Sequence, residues 1–322
     1  MSPLRSLGNP DISPFDDVFC ATGKRYNHAY LQPWWGDRVV FGGGNGPVNE
    51  IEYFNINSSA QAQNFGTLNV ATRMAGQCSS GTRGVIAGGT TPSSANDDFI
   101  DYITIATTGN ATDFGDLIND TIGSAGVSNA TRGLFMGGSN PSANEIMSNI
   151  QYITFATTGN ATDAGNITLD RRYAAAGSSG TRAVMGGGGS PSTSNVIDYV
   201  TIESTNNATD FGDLTRSNQY LACVSSTTRA AWGGGDGGTN IIDYVTIATT
   251  GNAQDFGDLT QGRYGLGGAA NNVVGVYMGG HTTGDYTNIV DFVTIATTGN
   301  ATDICDINGS KGFIGGGFTG EV

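Results

Sequence analysis

A reactive centre needs a nucleophile, a base and a group that stabilises developing charge, and histidine, the most frequent such base, is scarce in this chain. Its two histidines, His28 and His281, lie near opposite ends of 322 residues. No Gly-x-Ser-x-Gly elbow, His-Glu-x-x-His pattern or phosphate-cradling glycine loop occurs, so the spacings that assemble hydrolase, metalloprotease or nucleotide sites are missing. Cys20, Cys78, Cys223 and Cys305 form no Cys-x-x-Cys pair; without zinc spacing they read as buried free thiols. Aspartates are plentiful, and hard cations take oxygen ligands, but no Asp-x-Asp-x-Asp-Gly loop is present. The sequence therefore predicts no catalytic residues, no bound metal and no cofactor.

One segment concentrates chemistry of another kind. Tyr26-Asn-His-Ala-Tyr-Leu-Gln-Pro-Trp-Trp-Gly-Asp37 gathers aromatic side chains of the sort that stack on sugar rings or dock a partner. Trp34, Trp35, His28 and Tyr30 are the candidate ligand-binding residues; the alternative is that they plug the fold or pack on an N-terminal arm. Asn-Ala-Thr recurs at Asn110, Asn129, Asn160, Asn207 and Asn300. It matches the N-glycosylation acceptor, but Met1-Ser-Pro-Leu-Arg-Ser-Leu-Gly8 lacks the apolar stretch of an export signal, so it is read as turn sequence.

The charges fall at repeated places. Net charge is −14 and only two lysines occur, which argues against the basic stripe that nucleic-acid binding requires. No run of 18 apolar residues exists, so no membrane-inserted helix is expected. Of 14 basic residues, 11 occupy two positions of a repeat: Arg25, Arg73, Arg172, Arg216 and Arg263 at one, Arg38, Arg83, Arg132, Arg182, Arg229 and Lys311 at the other. A site arises once, whereas a scaffold bond recurs in every unit. Arg38, Arg83, Arg132, Arg182 and Arg229 are therefore expected to bond neighbouring strands or blades.

The repeat itself sets the elements. Asp101-Tyr-Ile-Thr-Ile-Ala-Thr-Thr-Gly-Asn-Ala-Thr-Asp-Phe-Gly-Asp-Leu117 returns from Gln151, Asp198, Asp243 and Asp291 and, in worn form, from Glu52. Its aromatic anchors Tyr53, Tyr102, Tyr152, Tyr199, Tyr244 and Phe292 are 49, 50, 47, 45 and 48 residues apart. Glycine doublets alternate with them, beginning at Gly42, Gly88, Gly137, Gly186, Gly233, Gly279 and Gly315. Each unit reads as four strands parted by turns, in the fourth copy near 173–177, 183–187, 195–202 and 208–214. Apolar residues on both faces of the third strand imply a sheet covered on both sides, as a propeller blade is. No 3.6-residue period suggests a helix.

The arginine-led unit, the Gly-Gly ending its second strand and the aromatic in its third resemble the kelch family over nearly the whole chain. Kelch repeats usually carry Trp in the fourth strand, where Phe65, Phe114, Phe211 and Phe256 stand here. The resemblance implies an all-β, kelch-like β-propeller of six four-stranded blades, with seven, the last thin, as the alternative. The expected layout is an N-terminal arm and closing strand over 1–24, six units over 25–307, and a C-terminal closing strand and tail over 308–322. In the closing scheme Phe15–Ala21 pairs with the strand around Lys311–Gly317. Kelch-type copper oxidases need His, Tyr and Cys ligands, which a composition with two His and four Cys barely supplies, and sialidase propellers need Asp-box turns, which are missing.

Asp-Tyr-Val-Thr-Ile-Ala-Thr-Thr-Gly-Asn-Ala, Thr-Arg-Gly-Val and the opening Phe15-Asp-Asp-Val-Phe-Cys-Ala-Thr-Gly23 also resemble repeats of virion structural proteins from tailed phages of marine cyanobacteria. That resemblance implies a non-enzymatic virion component on the tail or capsid surface. Its partners would be other virion proteins and a host cell-surface glycan, with no nucleic acid and no membrane insertion. A purely structural decoration or adaptor protein is the first alternative, a carbohydrate-active propeller enzyme the second.

Overall fold

The computed structural model describes residues 34–93 and 98–321. The strands are β1 (Arg38–Gly42), β2 (Val48–Asn55) and β3 (Gln63–Thr72), then β4 (Gly76–Ser79), β5 (Arg83–Ala87), β6 (Phe99–Thr104) and β7 (Thr112–Asp116). Next come β8 (Ala125–Ser128), β9 (Arg132–Asn140), β10 (Glu145–Thr154) and β11 (Thr162–Asn166), followed by β12 (Ala175–Ser178), β13 (Arg182–Gly186), β14 (Ser194–Thr201) and β15 (Thr209–Asn218). The last are β16 (Ala222–Ser225), β17 (Arg229–Gly233), β18 (Ile241–Thr246) and β19 (Gln254–Asp258), then β20 (Gly267–Ala270), β21 (Val274–Met278), β22 (Ile289–Thr294), β23 (Thr302–Asp306) and β24 (Phe318–Gly320). None of the described residues is helical.

These strands form six antiparallel four-stranded sheets, and the order β24-β1-β2-β3 makes the first of them a composite of both ends of the described chain. Calling it blade I, blades II to VI follow as consecutive sets of four strands. The innermost strands neighbour one another in a circle, β4 with β8, β8 with β12, β12 with β16, β16 with β20, β20 with β24, and β24 with β4. The fold is a closed six-bladed β-propeller.

Alternation of side chains along a strand places the core between blades. Val40 and Ile51 of blade I pack with Ile86, Ile103 and Ile105 of blade II. Val39 and Phe41, on the other face, pack with Val274, Val276 and Met278 of blade VI. The remaining four clusters occupy the remaining four blade interfaces, so each sheet buries both faces.

The glycine doublet that ends each second strand has a backbone reason. Gly43 (φ 78°) and Gly44 (φ 146°) follow β1, and the Gly44 amide donates to Thr72 O at 2.9 Å, just ahead of blade II. A Cβ on Gly43 would sit 2.6 Å from that carbonyl oxygen. The same bond recurs as Gly89 to Thr121, Gly138 to Arg171, Gly188 to Asn218, Gly235 to Arg263 and Gly280 to Lys311. Only glycine adopts this turn without strain while admitting so close an approach.

The seventh doublet, Gly315-Gly316, does not close a second strand; it leads into β24, which pairs Val40 with Phe318, Val39 with Thr319 and Arg38 with Gly320. The closing strand falls within the expected 308–322, at Phe318–Gly320 and not around 311–317. The innermost place in blade I belongs to β24, so the first unit contributes three strands to that sheet and not four. Arg25 and the Phe15–Ala21 segment lie outside the described residues.

The most conspicuous repeat covers an edge. Gly109 and Ala111 of the Thr-Thr-Gly-Asn-Ala loop donate amides to Phe65 O and Thr67 O of β3, both at 2.8 Å, and Asn110 Oδ1 accepts the Thr67 amide at 3.2 Å. Asn160, Asn207, Asn252 and Asn300 make the same bond one blade further on each time. An outer strand with open N–H and C=O groups invites pairing with another chain, and each blade closes its neighbour's.

Candidate functional site

Most recurring polar side chains are occupied in holding blades together. Arg38, Arg83, Arg132, Arg182 and Arg229 each lie over the tyrosine of their own blade's third strand, 4.1 to 4.8 Å from the ring centre. Each also donates from Nη1 to carbonyls of the next blade: Arg38 to Ile105 O (2.9 Å), Arg83 to Phe155 O (2.5 Å), Arg132 to Ile202 O (3.2 Å), Arg182 to Ile247 O (2.9 Å) and Arg229 to Ile295 O (3.2 Å). Val274 holds this position in blade VI, so the arginine staple joins five of the six interfaces.

A second set of basic groups is buried. Arg171 reaches Asp198 at 2.7 Å and Arg263 reaches Asp291 at 3.1 Å, all four side chains fully enclosed. Lys311 binds Glu52 and, at 2.7 Å, Glu50. Sequence reading put Lys311 with the second-strand arginines; the structure puts it with Arg171 and Arg263, ahead of the innermost strand. The acids sit where the register shifts between β2 and β3, β14 and β15, or β22 and β23, and such bulges re-aim a side chain. Burial pulls the Arg171 and Arg263 pKa values down, against the pull of the partner aspartates.

The innermost strands enclose an axial channel. Toward the end where these strands finish, a cavity of about 110 Å³ is lined by small and hydroxyl side chains together with Trp34 and Trp35. Here Ser79 donates to Thr319 O (2.8 Å), Ser128 to Ser79 O (2.7 Å), Ser178 to Ser128 O (2.7 Å) and Thr319 to Ala270 O (2.6 Å). The Trp34 and Trp35 rings meet edge to face at 4.1 Å, both half-buried. The Trp34 ring edge lies against Gly180 in the β12–β13 turn, across the channel from blade I. Their position is thus at a channel end, packed on each other and on blade IV. His28 and Tyr30 lie outside the described residues.

At the opposite end the channel narrows to a ring. Met74, Gly123, Tyr173, Tyr220, Gly265 and Phe313 each precede an innermost strand, and all six have φ between 55° and 69°. Their backbones form a closed cycle: Met74 N donates to Phe313 O, Gly123 to Met74, Tyr173 to Gly123, Tyr220 to Tyr173, Gly265 to Tyr220 and Phe313 to Gly265, over 2.6 to 3.1 Å. A left-handed conformation suits glycine, yet four of the six positions carry bulky side chains.

Those side chains build an aromatic mouth. Tyr173 stacks on Tyr220 with centroids 4.4 Å apart and planes 24° from parallel. Phe313 contacts Tyr220, Tyr264 and Tyr286 edge-on at 5.7, 5.8 and 6.4 Å. His281 lies between Tyr264 (4.9 Å) and Tyr286 (4.7 Å). All six rings are half-buried. Burial, then the neighbouring Tyr173, pushes the Tyr220 pKa up to about 12. Arg73 lies 6.0 Å from the Phe313 centroid and Arg172 4.8 Å from that of Tyr173.

Sequence reading did not single out this mouth. Its members are 45 to 50 residues apart at one place of the repeat, and Tyr173 reads there as the first residue of a strand that the structure starts at Ala175. The signal was a single column in which Met, Tyr, Tyr and Phe alternate with Gly. Among the described residues no group of three or more His, Cys, Asp or Glu side chains is placed to hold a metal. The thiols of Cys78, Cys223 and Cys305 are free, and burial raises all three. Comparison with protein-family models and with curated proteins gives no match.

Proposed function

We propose that this chain is a non-enzymatic virion protein of a tailed phage, a kelch-like propeller on the tail or capsid surface that recognises a host-surface glycan. The observation that carries the recognition part is the strained aromatic ring. Holding a bulky residue in a sparsely populated backbone region costs about 1–3 kcal/mol each, and such positions cluster at ligand sites. Met74, Tyr173, Tyr220 and Phe313 hold it at the same mouth. Glycine, present in two of the six blades, would relieve it. Half-exposed rings facing a channel mouth suit the apolar face of a sugar, which makes this end a stronger candidate than Trp34 and Trp35.

Two further features support the reading. Repeated charged groups are engaged in scaffold bonds: Arg182 donates to a carbonyl of the next blade, and Arg171–Asp198 and Arg263–Asp291 are enclosed ion pairs ahead of and within single blades. The resemblance of the Asp-Tyr-Val-Thr-Ile-Ala-Thr-Thr-Gly-Asn-Ala units to cyanophage virion repeats supports the virion setting. The purified protein is expected to bind host cells and to slow phage adsorption in competition. Its presence in purified particles by mass spectrometry, with no cell binding and no competition, would favour the structural decoration reading instead; its absence from particles would refute the virion assignment.

A further inference from the structure

Eleven of the 14 basic residues fall among the described residues, and nearly all have a structural partner. Five are the staples Arg38, Arg83, Arg132, Arg182 and Arg229, bonded to carbonyls of the next blade. Arg171, Arg263 and Lys311 are in buried ion pairs, and Arg216 donates to Thr239. Arg73 and Arg172 remain. Neither faces a carboxylate within ion-pair distance among the described residues. Arg73 Nε is buried without a hydrogen-bond partner, and the Arg172 guanidinium has a long contact with Ser139 Oγ at 3.4 Å. Arg38, Arg83, Arg182, Arg216 and Arg229 also lack a carboxylate, but each donates to a carbonyl or hydroxyl at 3.2 Å or less, a bond that Arg73 and Arg172 do not make among the described residues.

Both stand at the aromatic mouth. Each immediately precedes a ring residue, Met74 or Tyr173, and each lies over a mouth ring, Phe313 or Tyr173. Between them along the ring comes Gly123, which adds no side chain of its own. Asp236, on the blade V side, is held by Gln219 (3.2 Å) and by the Gly237 amide (3.0 Å). A guanidinium fork matches a carboxylate in two parallel hydrogen bonds, while the ring faces accept the C–H face of a pyranose.

We propose that the mouth binds a uronate residue of an acidic polysaccharide, the sugar face on Tyr220 and Phe313 and the carboxylate on Arg73 and Arg172; this rests on the reading of the propeller as a glycan-recognition module. The overall charge of −14 opposes an anion at long range, but at physiological salt that field decays over about 8 Å. Guanidiniums at contact distance then decide.

Titration calorimetry with a galacturonate tetrasaccharide and a neutral glucose tetrasaccharide tests this. The uronate is expected to bind at least about tenfold tighter, a difference of about 1.4 kcal/mol. Arg73→Gln with Arg172→Gln should erase that preference, and Arg73→Lys with Arg172→Lys should keep part of it, with melting temperatures confirming that each variant is folded. Equal affinities, or a preference that survives the glutamine pair, overturns the uronate assignment. Failure to bind either sugar by protein that still binds host cells overturns this proposal alone. Loss of cell binding as well overturns the recognition reading with it.

Discussion

Arg171, Arg263 and Lys311 occupy one column of the repeat, ahead of the innermost strand, and the other three blades carry Thr72, Thr121 and Asn218 there. The facing acid changes in step. Blade III has Gln151 in its place, accepting the Ile118 amide at 2.6 Å. Asp101 and Asp243, which face Thr72 and Asn218, take neutral donors instead: Asn69 at 2.7 and 2.8 Å, and Thr215 at 2.8 and 3.0 Å. Burial raises the pKa of both above the usual carboxylate value, the hydrogen bonds offsetting part of it. An acid whose folded pKa lies above its unfolded value of 3.8 gives stability that is complete below that pH and is lost as pH rises through the folded value. Asp101→Asn should therefore leave unfolding stability at pH 7 unchanged or higher. Asp198→Asn strands a fully enclosed guanidinium, and losing one member of a buried pair costs about 3–5 kcal/mol. Urea denaturation of the two variants at pH 4 and pH 7 checks the contrast; equal losses at pH 7 would refute it.

At the scale of strands and loops, one close fit recurs from blade to blade. Gly115, Gly165, Gly212 and Gly257 lie in the outer strands where the next blade's Gly-Asn loop arrives. At Gly212 (φ 144°) a Cβ would come within 2.6 Å of the Gly251 backbone. Gly212→Ala should therefore destabilise by about 2–3 kcal/mol, from backbone strain together with a clash that rigid main chain cannot relieve. The same change at Gly251, where nothing lies within 4 Å, meets only the φ penalty and should cost about 1 kcal/mol. Chemical denaturation of the pair measures the difference. Blade VI departs from the pattern: Cys305 takes the glycine's position and Val274 the staple arginine's. Closure there relies on β24, on the Lys311 pairs with Glu50 and Glu52, and on Gln77, whose amide joins Gly42 O and Ile314 O at 2.9 and 2.8 Å.

For the whole molecule, the circle of six blades was legible because each unit repeats the same strand pattern and buries both faces. Periodicity of Tyr53 through Phe292, together with the Gly doublets, carried that conclusion. A closing strand within 308–322 was legible, but its place around 311–317 was not, because Phe318-Thr-Gly320 is too short to read as a strand; pairing with β1 makes it one. The aromatic mouth was missed because convergence at an axis has no signature in local sequence: Tyr173, Tyr220 and Phe313 approach one another only after the ring closes. Repetition marks scaffold, and departures from it at the axis mark the surface proposed for recognition.

Glycan binding and melting temperature, measured together on Tyr220→Gly and Arg182→Ala, test that division most directly. Tyr220→Gly exchanges lost stacking for relief of a φ of 58°, so stability should stay within about 1 kcal/mol while binding disappears. Arg182→Ala removes bonds to Ile247 O and Ala248 O and the contact with Tyr199, lowering stability by about 1–2 kcal/mol while binding persists. Binding that survives Tyr220→Gly, or that vanishes in folded Arg182→Ala, would contradict the assignment of recognition to the mouth and of the repeat to the scaffold.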